Sequence, residues 1–122
     1  MNRARTILVV DDDADVREAL VDLLRFEGLS VDAVQNGREA LTWLRDHGDT
    51  STLVLLDLMM PVMDGRAFLA AKAEDPVLAD VPVILLTAGG DYRELRGSRG
   101  VATALPKPVQ VAQLLAAIAA CG

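Results

Sequence analysis

Several short apolar runs in this sequence lead into polar side chains that can bind a cation or an anion. These side chains are Asp11, Asp12 and Asp13 after one run, Asp57 and Thr87 after two others, and Lys107 just beyond a fourth. Carboxylates gathered at one place repel each other unless a cation compensates their charge. Mg²⁺ suits this role, because it prefers oxygen ligands and commonly takes one or two carboxylates together with a phosphate oxygen. We therefore predict a magnesium site formed by Asp11, Asp12 and Asp57.

Thr87 and Lys107 would supply the complementary chemistry. Only two residues of the chain are lysines, and Lys107 stands between Pro106 and Pro108, which restrict the backbone around it. A hydroxyl, an ammonium and a metal-binding carboxylate pocket form a receptor for a tetrahedral dianion. The predicted ligand class is a phosphoryl group.

Taken one at a time, these residues have ordinary structural explanations. Aspartates between a strand and a helix more often cap the helix, and we assign that role to Asp13 and Asp15. Asp57 alone would be a turn residue, and Lys107 alone a solvated cation. Their coincidence at the ends of four strands favours a site. His47 is interpreted as a partner of a helix dipole. Packing roles are predicted for Trp43, Met59, Met60 and Met63.

The elements that must position these residues are visible in the hydrophobic spacing. Nearly continuous apolar runs predict strands covered on both faces at residues 6–10, 52–56 and 81–86, and two further strands are predicted at 30–34 and 101–105. A first helix between an Asp13 N-cap and Gly28 carries one apolar face, composed of Val16, Leu20, Leu23 and Leu24.

Four more helices are predicted. One begins at Asn36, three residues before Glu39 in capping-box spacing, and ends at Gly48. Another begins at residues 64–65 with Phe68 and Leu69 on its buried side, a short loose one occupies 89–100, and the last occupies 109–120. Alternating strands and helices joined by short loops predict a doubly wound parallel α/β domain, with its ligand site beyond the carboxyl ends of the strands.

Composition bounds the possible functions. The chain has 122 residues and a mass of 13.0 kDa, which suits one domain, here residues 1–122. A net charge of −6 and 3% aromatic residues argue against direct binding of nucleic acid or of a membrane. Cys121 has no partner cysteine, and His47 is the only histidine, so neither a disulfide nor a zinc cluster is expected. With no signal peptide or apolar membrane span, a cytoplasmic protein is predicted.

The motifs resemble those of the receiver domain of two-component response regulators, along essentially the whole chain. The first-strand acidic signature corresponds to residues 8–13 (LVVDDD), and the phosphorylation-site stretch to residues 55–65 (LLDLMMPVMDG). Thr87-Ala88 corresponds to the hydroxyl and small residue of that family, and Gly100 followed by Lys107-Pro108 to its closing motif. The resemblance implies a flavodoxin-like fold with strand order 2-1-3-4-5, similar to a single-domain chemotaxis receiver.

The resemblance also implies a mechanism. Asp57 would accept a phosphoryl group from a phosphohistidine on a histidine kinase or a histidine phosphotransfer protein. Asp12 would bind Mg²⁺ directly and Asp11 through water, and the Met59 carbonyl would complete the protein ligands. Thr87 and Lys107 would hold the phosphoryl oxygens. Such a domain catalyses only its own phosphorylation and dephosphorylation, and it acts on a downstream protein as a monomer or as a weak phosphorylation-dependent dimer.

One position departs from the family pattern. Ala104 stands where family members usually carry an aromatic residue that follows the threonine, so we hypothesise that residues 88–100 reorder instead. Because the predicted elements use the whole length, we expect a stand-alone receiver whose signal leaves through a protein surface.

Three other functions compete with a phosphorylated switch. A dehalogenase-like phosphatase would need an aspartate where Met59 stands, and a flavodoxin-like electron carrier would need a phosphate loop where the aspartates stand. A receiver-like binding module that has lost phosphorylation would not need the complete acidic set.

Overall fold

The computed structural model describes residues 6–47, 52–57, 65–87 and 100–121. Five strands and four helices lie in this part of the chain: β1 (Thr6–Val10), α1 (Ala14–Phe26), β2 (Ser30–Val34), α2 (Gly37–His47), β3 (Thr52–Asp57), α3 (Gly65–Glu74), β4 (Val83–Thr87), β5 (Val101–Pro106) and α4 (Val111–Ala120). The strands form one parallel sheet in the order β2-β1-β3-β4-β5. The predicted fold and strand order are confirmed.

Two hydrophobic cores cover the two faces of the sheet. Alternate residues of β1, β3 and β4 pack towards α2 and α3 on one face and towards α1 and α4 on the other. This double coverage explains why β3 and β4 are buried at every residue and read as unbroken apolar runs. In the described part of the chain, none of the helices has the length and apolar character that a membrane crossing requires.

Helix α1 begins and ends at the predicted residues, but its apolar face is only partly covered. The Asp13 side chain accepts hydrogen bonds from the backbone N–H groups of Asp15 and Val16, and Gly28, just past the helix end, has a φ of +85°. Leu24 is fully buried, whereas Val16 is 39% exposed. A regular apolar spacing therefore marks the inward side of this helix without showing that all of it is covered.

The predicted cap of α2 is confirmed. The Glu39 backbone N–H donates to the Asn36 side-chain oxygen at 2.9 Å, and the Glu39 carboxylate accepts from the Gln35 backbone N–H at 3.1 Å. The Gln35 N–H bond lowers the pKa of Glu39. Trp43, on α2, packs against the core and donates from its indole N–H to Asp32. His47, in the last turn of the same helix, stacks on the Trp43 ring.

Removing the cap should destabilise the domain measurably. Asn36→Ala leaves the N–H of Glu39 without its acceptor, and we expect the free energy of unfolding to fall by about 1 kcal/mol. Asn36→Asp keeps a side-chain oxygen at the same place and should cost much less. Urea denaturation of both variants provides the measurement, and equal losses would contradict the capping role.

The end of the chain differs from the prediction in detail. The last strand extends to Pro106, and the last helix begins at Val111, because Gln110 is still extended with a ψ of 134°. Val109, the predicted first helical residue, lies instead in the connection and packs against the core. The predicted helix within 89–100 falls, apart from Gly100, outside the described residues, as do Gly48, Met59, Met60, Met63 and Asp64.

A buried lysine lies against the amino-terminal end of β5. Lys72 stands on the buried face of α3, is 1% exposed, and donates from Nζ to the Ala79 carbonyl at 3.0 Å. Gly100 has a φ of +86°, and a Cβ there would lie 2.6 Å from the Lys72 Nζ and 2.7 Å from the Ala79 oxygen. The Gly100 carbonyl accepts from the Val83 N–H at 2.8 Å. The start of β5 is therefore fixed to α3 and β4.

Candidate functional site

Three carboxylates meet at the carboxyl edge of the sheet. Asp11 and Asp12 directly follow β1, and Asp57 ends the adjacent strand β3. One carboxylate oxygen from each of the three lies within 4.8 Å of the other two. Asp11 is 1% exposed and Asp57 4%, whereas Asp12 is exposed. The structure thus brings together the predicted carboxylate set, with two members buried and one open to solvent.

The electrostatics of Asp11 are unfavourable in this pocket. Burial raises the pKa of Asp11 above its ordinary value of 3.8, and the negative charges of Asp57 and Asp12 raise it further. A hydrogen bond from the Asp13 N–H to Oδ1, 2.9 Å long, and the charge of Lys107 oppose this shift only in part. The other oxygen, Oδ2, is buried and has no hydrogen-bond partner among the described residues.

These observations fit a divalent cation. A buried carboxylate oxygen without a partner is costly, and this one belongs to an aspartate that stands in a cluster of like charges. A hard cation with several oxygen ligands would satisfy that oxygen and compensate the charges together. Asp11, Asp12 and Asp57 are therefore the residues that could hold Mg²⁺. The Met59 carbonyl, the fourth predicted ligand, lies outside the described residues.

Neutralising Asp11 should stabilise the metal-free domain and reduce the stabilisation that Mg²⁺ provides. In EDTA at neutral pH, Asp11→Asn removes a buried charge, and we expect it to raise the free energy of unfolding by about 1 kcal/mol, or roughly 4 °C in Tm. At saturating Mg²⁺ the wild type should gain more than about 2 kcal/mol, and the variant far less. Melting curves with and without Mg²⁺ provide the measurement.

The dependence of the unfolding free energy on pH, below neutral pH, gives an internal control for this variant. The carboxyl group of Asp11 has a raised pKa in the folded state, so its protonated form is favoured by folding and its ionised form is penalised. The advantage of Asp11→Asn in EDTA should therefore shrink as the pH falls through the raised pKa and vanish below 3.8. A variant less stable than the wild type in EDTA at pH 7 would contradict the unfavourable burial of Asp11.

Lys107 is the positive group of the pocket. Its Nζ lies 3.1 Å from Oδ1 of Asp57, and its side chain is 30% exposed. The Lys107 backbone N–H donates to the Thr87 carbonyl at 2.8 Å, and the Lys107–Pro108 peptide bond is cis. One backbone hydrogen bond thus fixes the lysine to the end of β4.

Thr87 is the last residue of β4 and is 6% exposed. It lies one position beyond Leu86, which pairs with Asp57 across the sheet. Asp57, Thr87 and Lys107 therefore share the carboxyl edge of three consecutive strands, as predicted. Ala104 on β5 pairs with Leu85 of β4 and is half-buried against the core. Ala88 and Gly89, which directly follow Thr87, lie outside the described residues.

Two further features of the site correspond to no sequence motif and were not predicted. The Arg17 guanidinium donates from Nη1 to the Asp11 carbonyl at 2.8 Å. An apolar groove of about 350 Å³ borders Lys107, lined among others by Val16, Leu20 and Pro108. The sequence gives one indication of these features, which is that Val16 and Arg17 both lie at the start of α1. They therefore follow closely on residues 11–13, which form the acidic loop.

Fold and pocket together define an α/β domain that gathers three carboxylates and one ammonium at the carboxyl edge of its sheet. Comparison with family models identifies it more narrowly: residues 7–119 match the response regulator receiver domain, and the chain belongs to that family. Receiver domains are the aspartate-phosphorylated switches of two-component signalling.

Curated relatives and solved structures agree. The chain is 40% identical over 116 residues to the transcriptional regulatory protein CpxR homolog of Haemophilus influenzae, and 40% identical over 112 residues to the response regulator MprA of Mycolicibacterium vanbaalenii. These matches cover 93% and 90% of this chain but 48% and 47% of those proteins, so the chain spans about half the length of the curated relatives it matches.

Among solved structures, the signal receiver domain of a histidine kinase from Syntrophus aciditrophicus is 32% identical with a TM-score of 0.84, covering 97% of this chain and 89% of that one. The chemotaxis response regulator CheY4 of Vibrio cholerae has a TM-score of 0.86 at 24% identity, covering 98% and 100%, and shares the fold.

Proposed function

We propose that this chain is a phosphorelay switch that accepts a phosphoryl group on Asp57 in a Mg²⁺-dependent reaction and then controls a protein partner. One observation carries the proposal: the Asp57 carboxylate has an ammonium 3.1 Å away and two further carboxylates within 4.8 Å. Such an arrangement supplies a nucleophile, a positive group and ligands for a cation at one point.

The transfer follows from the chemistry of these groups. An Asp57 carboxylate oxygen attacks the phosphorus of a phosphohistidine, a P–O bond forms, and the P–N bond breaks with its electron pair returning to the imidazole nitrogen. Bound Mg²⁺ would neutralise negative charge on the phosphoryl oxygens. The Lys107 ammonium pairs with the Asp57 carboxylate before the transfer and with the negatively charged oxygens of the phosphoryl group after it. The Thr87 hydroxyl donates to a phosphoryl oxygen.

The partners follow from the same geometry. A protein donor has to cover the surface around Asp57, and we propose a histidine kinase or a histidine phosphotransfer protein in this role. The apolar groove beside Lys107 is part of that surface and would receive apolar side chains of the donor. We propose that the downstream partner is also a protein and that signalling takes place in the cytoplasm. The responding unit is the domain of residues 1–122, acting as a monomer or as a weak phosphorylation-dependent dimer.

The output step rests on the strand ends. Because the Lys107 N–H is bonded to the Thr87 carbonyl, a shift of Thr87 towards a phosphoryl group also moves Lys107. Moving a switch from mostly off to mostly on takes about 5.5 kcal/mol of differential stabilisation, a range that a few charge-assisted hydrogen bonds approach. With Ala104 in place of an aromatic residue, we propose that residues 88–100 take up this change.

A small phosphoryl donor tests the proposal without a partner protein. The purified chain is incubated with acetyl phosphate and Mg²⁺ and measured by intact mass spectrometry. We expect a single phosphoryl adduct, absent in EDTA and released by hydroxylamine, which cleaves acyl phosphates. A wild-type protein without an adduct at saturating Mg²⁺, or an adduct formed equally well in EDTA, would overturn the proposed function.

A further inference from the structure

Arg17 ties the acidic loop to helix α1 at two points. Its backbone N–H donates to the Asp13 carbonyl at 2.9 Å, as the helix begins, and its guanidinium reaches back to the Asp11 carbonyl at 2.8 Å. The side chain is half-buried in this position. Arg17 therefore closes residues 11–13 onto the helix that comes after them.

The carbonyl that Arg17 binds belongs to the peptide unit between Asp11 and Asp12. A peptide unit is planar, so the direction of its carbonyl also fixes the backbone rotation after Cα of Asp11 and the one before Cα of Asp12. The Asp11 N–H is held on its other side by the Val34 carbonyl at 3.3 Å. One guanidinium hydrogen bond thus holds the stretch of backbone from which two adjacent carboxylates extend.

The guanidinium contacts the backbone of residues 11–13, since its hydrogen bond goes to the Asp11 carbonyl. Its charge also helps to lower the pKa of Glu39 on α2. Losing Arg17 would change where the carboxylates point while leaving their number the same.

We propose that Arg17 is a positioning residue for the metal pocket: it orients Asp11 and Asp12 so that both carboxylates, with Asp57, converge on one cation. This inference rests on the proposed function, since it assigns a role within the same Mg²⁺-dependent site. Hydrogen-bonded supports around metal ligands typically change metal affinity by about 10-fold to 100-fold when they are removed.

Arg25 offers a matched control on the same helix. Its guanidinium also donates to a backbone carbonyl, that of Val31 at 3.2 Å, and the residues it joins are likewise six positions apart. Val31 lies near the start of β2, at the opposite edge of the sheet from the carboxylates. Arg25→Ala therefore removes the same kind of bond without touching the pocket.

The experiment compares wild type, Arg17→Ala, Arg17→Lys and Arg25→Ala. Mg²⁺ binding is measured by titration calorimetry, phosphorylation by acetyl phosphate as a function of Mg²⁺ concentration, and folding by thermal melting. For Arg17→Ala we expect the Mg²⁺ dissociation constant and the half-saturating Mg²⁺ concentration to rise together by about 10-fold. The rate at saturating Mg²⁺ should stay near that of the wild type. Arg17→Lys, which keeps one donor, should recover part of the affinity.

The outcomes separate this inference from the proposed function. Arg25→Ala should bind Mg²⁺ like the wild type, even where its Tm falls as much as that of Arg17→Ala. Equal Mg²⁺ affinities for Arg17→Ala and Arg25→Ala, with a wild type that is phosphorylated, would overturn the positioning role and leave the proposed function standing. A wild type that neither binds Mg²⁺ nor forms an adduct would overturn both.

Discussion

Replacing Asp57 by asparagine is expected to abolish the phosphoryl adduct completely. The amide oxygen of asparagine carries no negative charge and does not form an acyl phosphate, so the nucleophile is lost. The pocket also loses one of its three carboxylates, and the Lys107 ammonium loses the negative charge of the oxygen that lies 3.1 Å away. Intact mass spectrometry after incubation with acetyl phosphate and Mg²⁺ should show only unmodified protein.

The control for this variant is an aspartate of the same chemistry on an exposed surface. Asp22→Asn, on the solvent side of α1, should form the adduct at the rate of the wild type. Circular dichroism of Asp57→Asn establishes that its fold is intact. An adduct that persists in folded Asp57→Asn would show that another residue is phosphorylated and would refute the assignment of Asp57.

Replacing Lys107 by alanine should move phosphorylation and metal binding in opposite directions. Loss of one positively charged donor to the developing phosphoryl charge is expected to slow phosphorylation by about 10²-fold to 10³-fold. Mg²⁺ affinity, in contrast, should rise, because the lysine competes for the Asp57 oxygen and its charge opposes a cation in the pocket. Acetyl phosphate kinetics and titration calorimetry on one protein sample measure the two effects.

Lys107→Arg separates charge from shape. It keeps a positive group, so we expect its Mg²⁺ affinity to stay near that of the wild type, while its planar guanidinium fits the oxygen position less well and phosphorylation slows to an intermediate rate. If Lys107→Ala lost Mg²⁺ affinity together with phosphorylation, the lysine would be holding the pocket together, and its role as the counter-charge would be wrong.

The sequence could predict the location of this pocket because parallel strands end at a common edge. Apolar runs that stop at Asp11, Asp57 and Thr87 reveal both the strands and the residues at their ends, and the fold brings those ends together. The parallel pairing of β1 with β3 and of β3 with β4 then fixes their neighbourhood. The roles of these residues in catalysis stay predictions until the variants are measured.

Other features depend on the local course of the backbone, which a hydrophobic pattern does not encode. The bond from Arg17 to the Asp11 carbonyl requires a particular turn of the loop, and any arginine on α1 would look the same in sequence. Lys72 occupies a position on the buried face of α3 shared with Phe68 and Leu69, where a pattern predicts an apolar side chain. Its burial becomes explicable only when the Ala79 carbonyl is seen to accept its ammonium hydrogen.

The buried Lys72 also constrains how far a signal can travel in β5. Gly100 lies against the Lys72 ammonium with no space for a methyl group, so the amino-terminal end of β5 is held in place. The carboxyl-terminal end of β5 leads directly to Lys107 in the pocket. Between these two ends, β5 pairs with β4 from Val101 to Pro106. We therefore expect a displacement of Lys107 to die out along β5 before it reaches Gly100, so that the change proposed for residues 88–100 would have to start from Thr87.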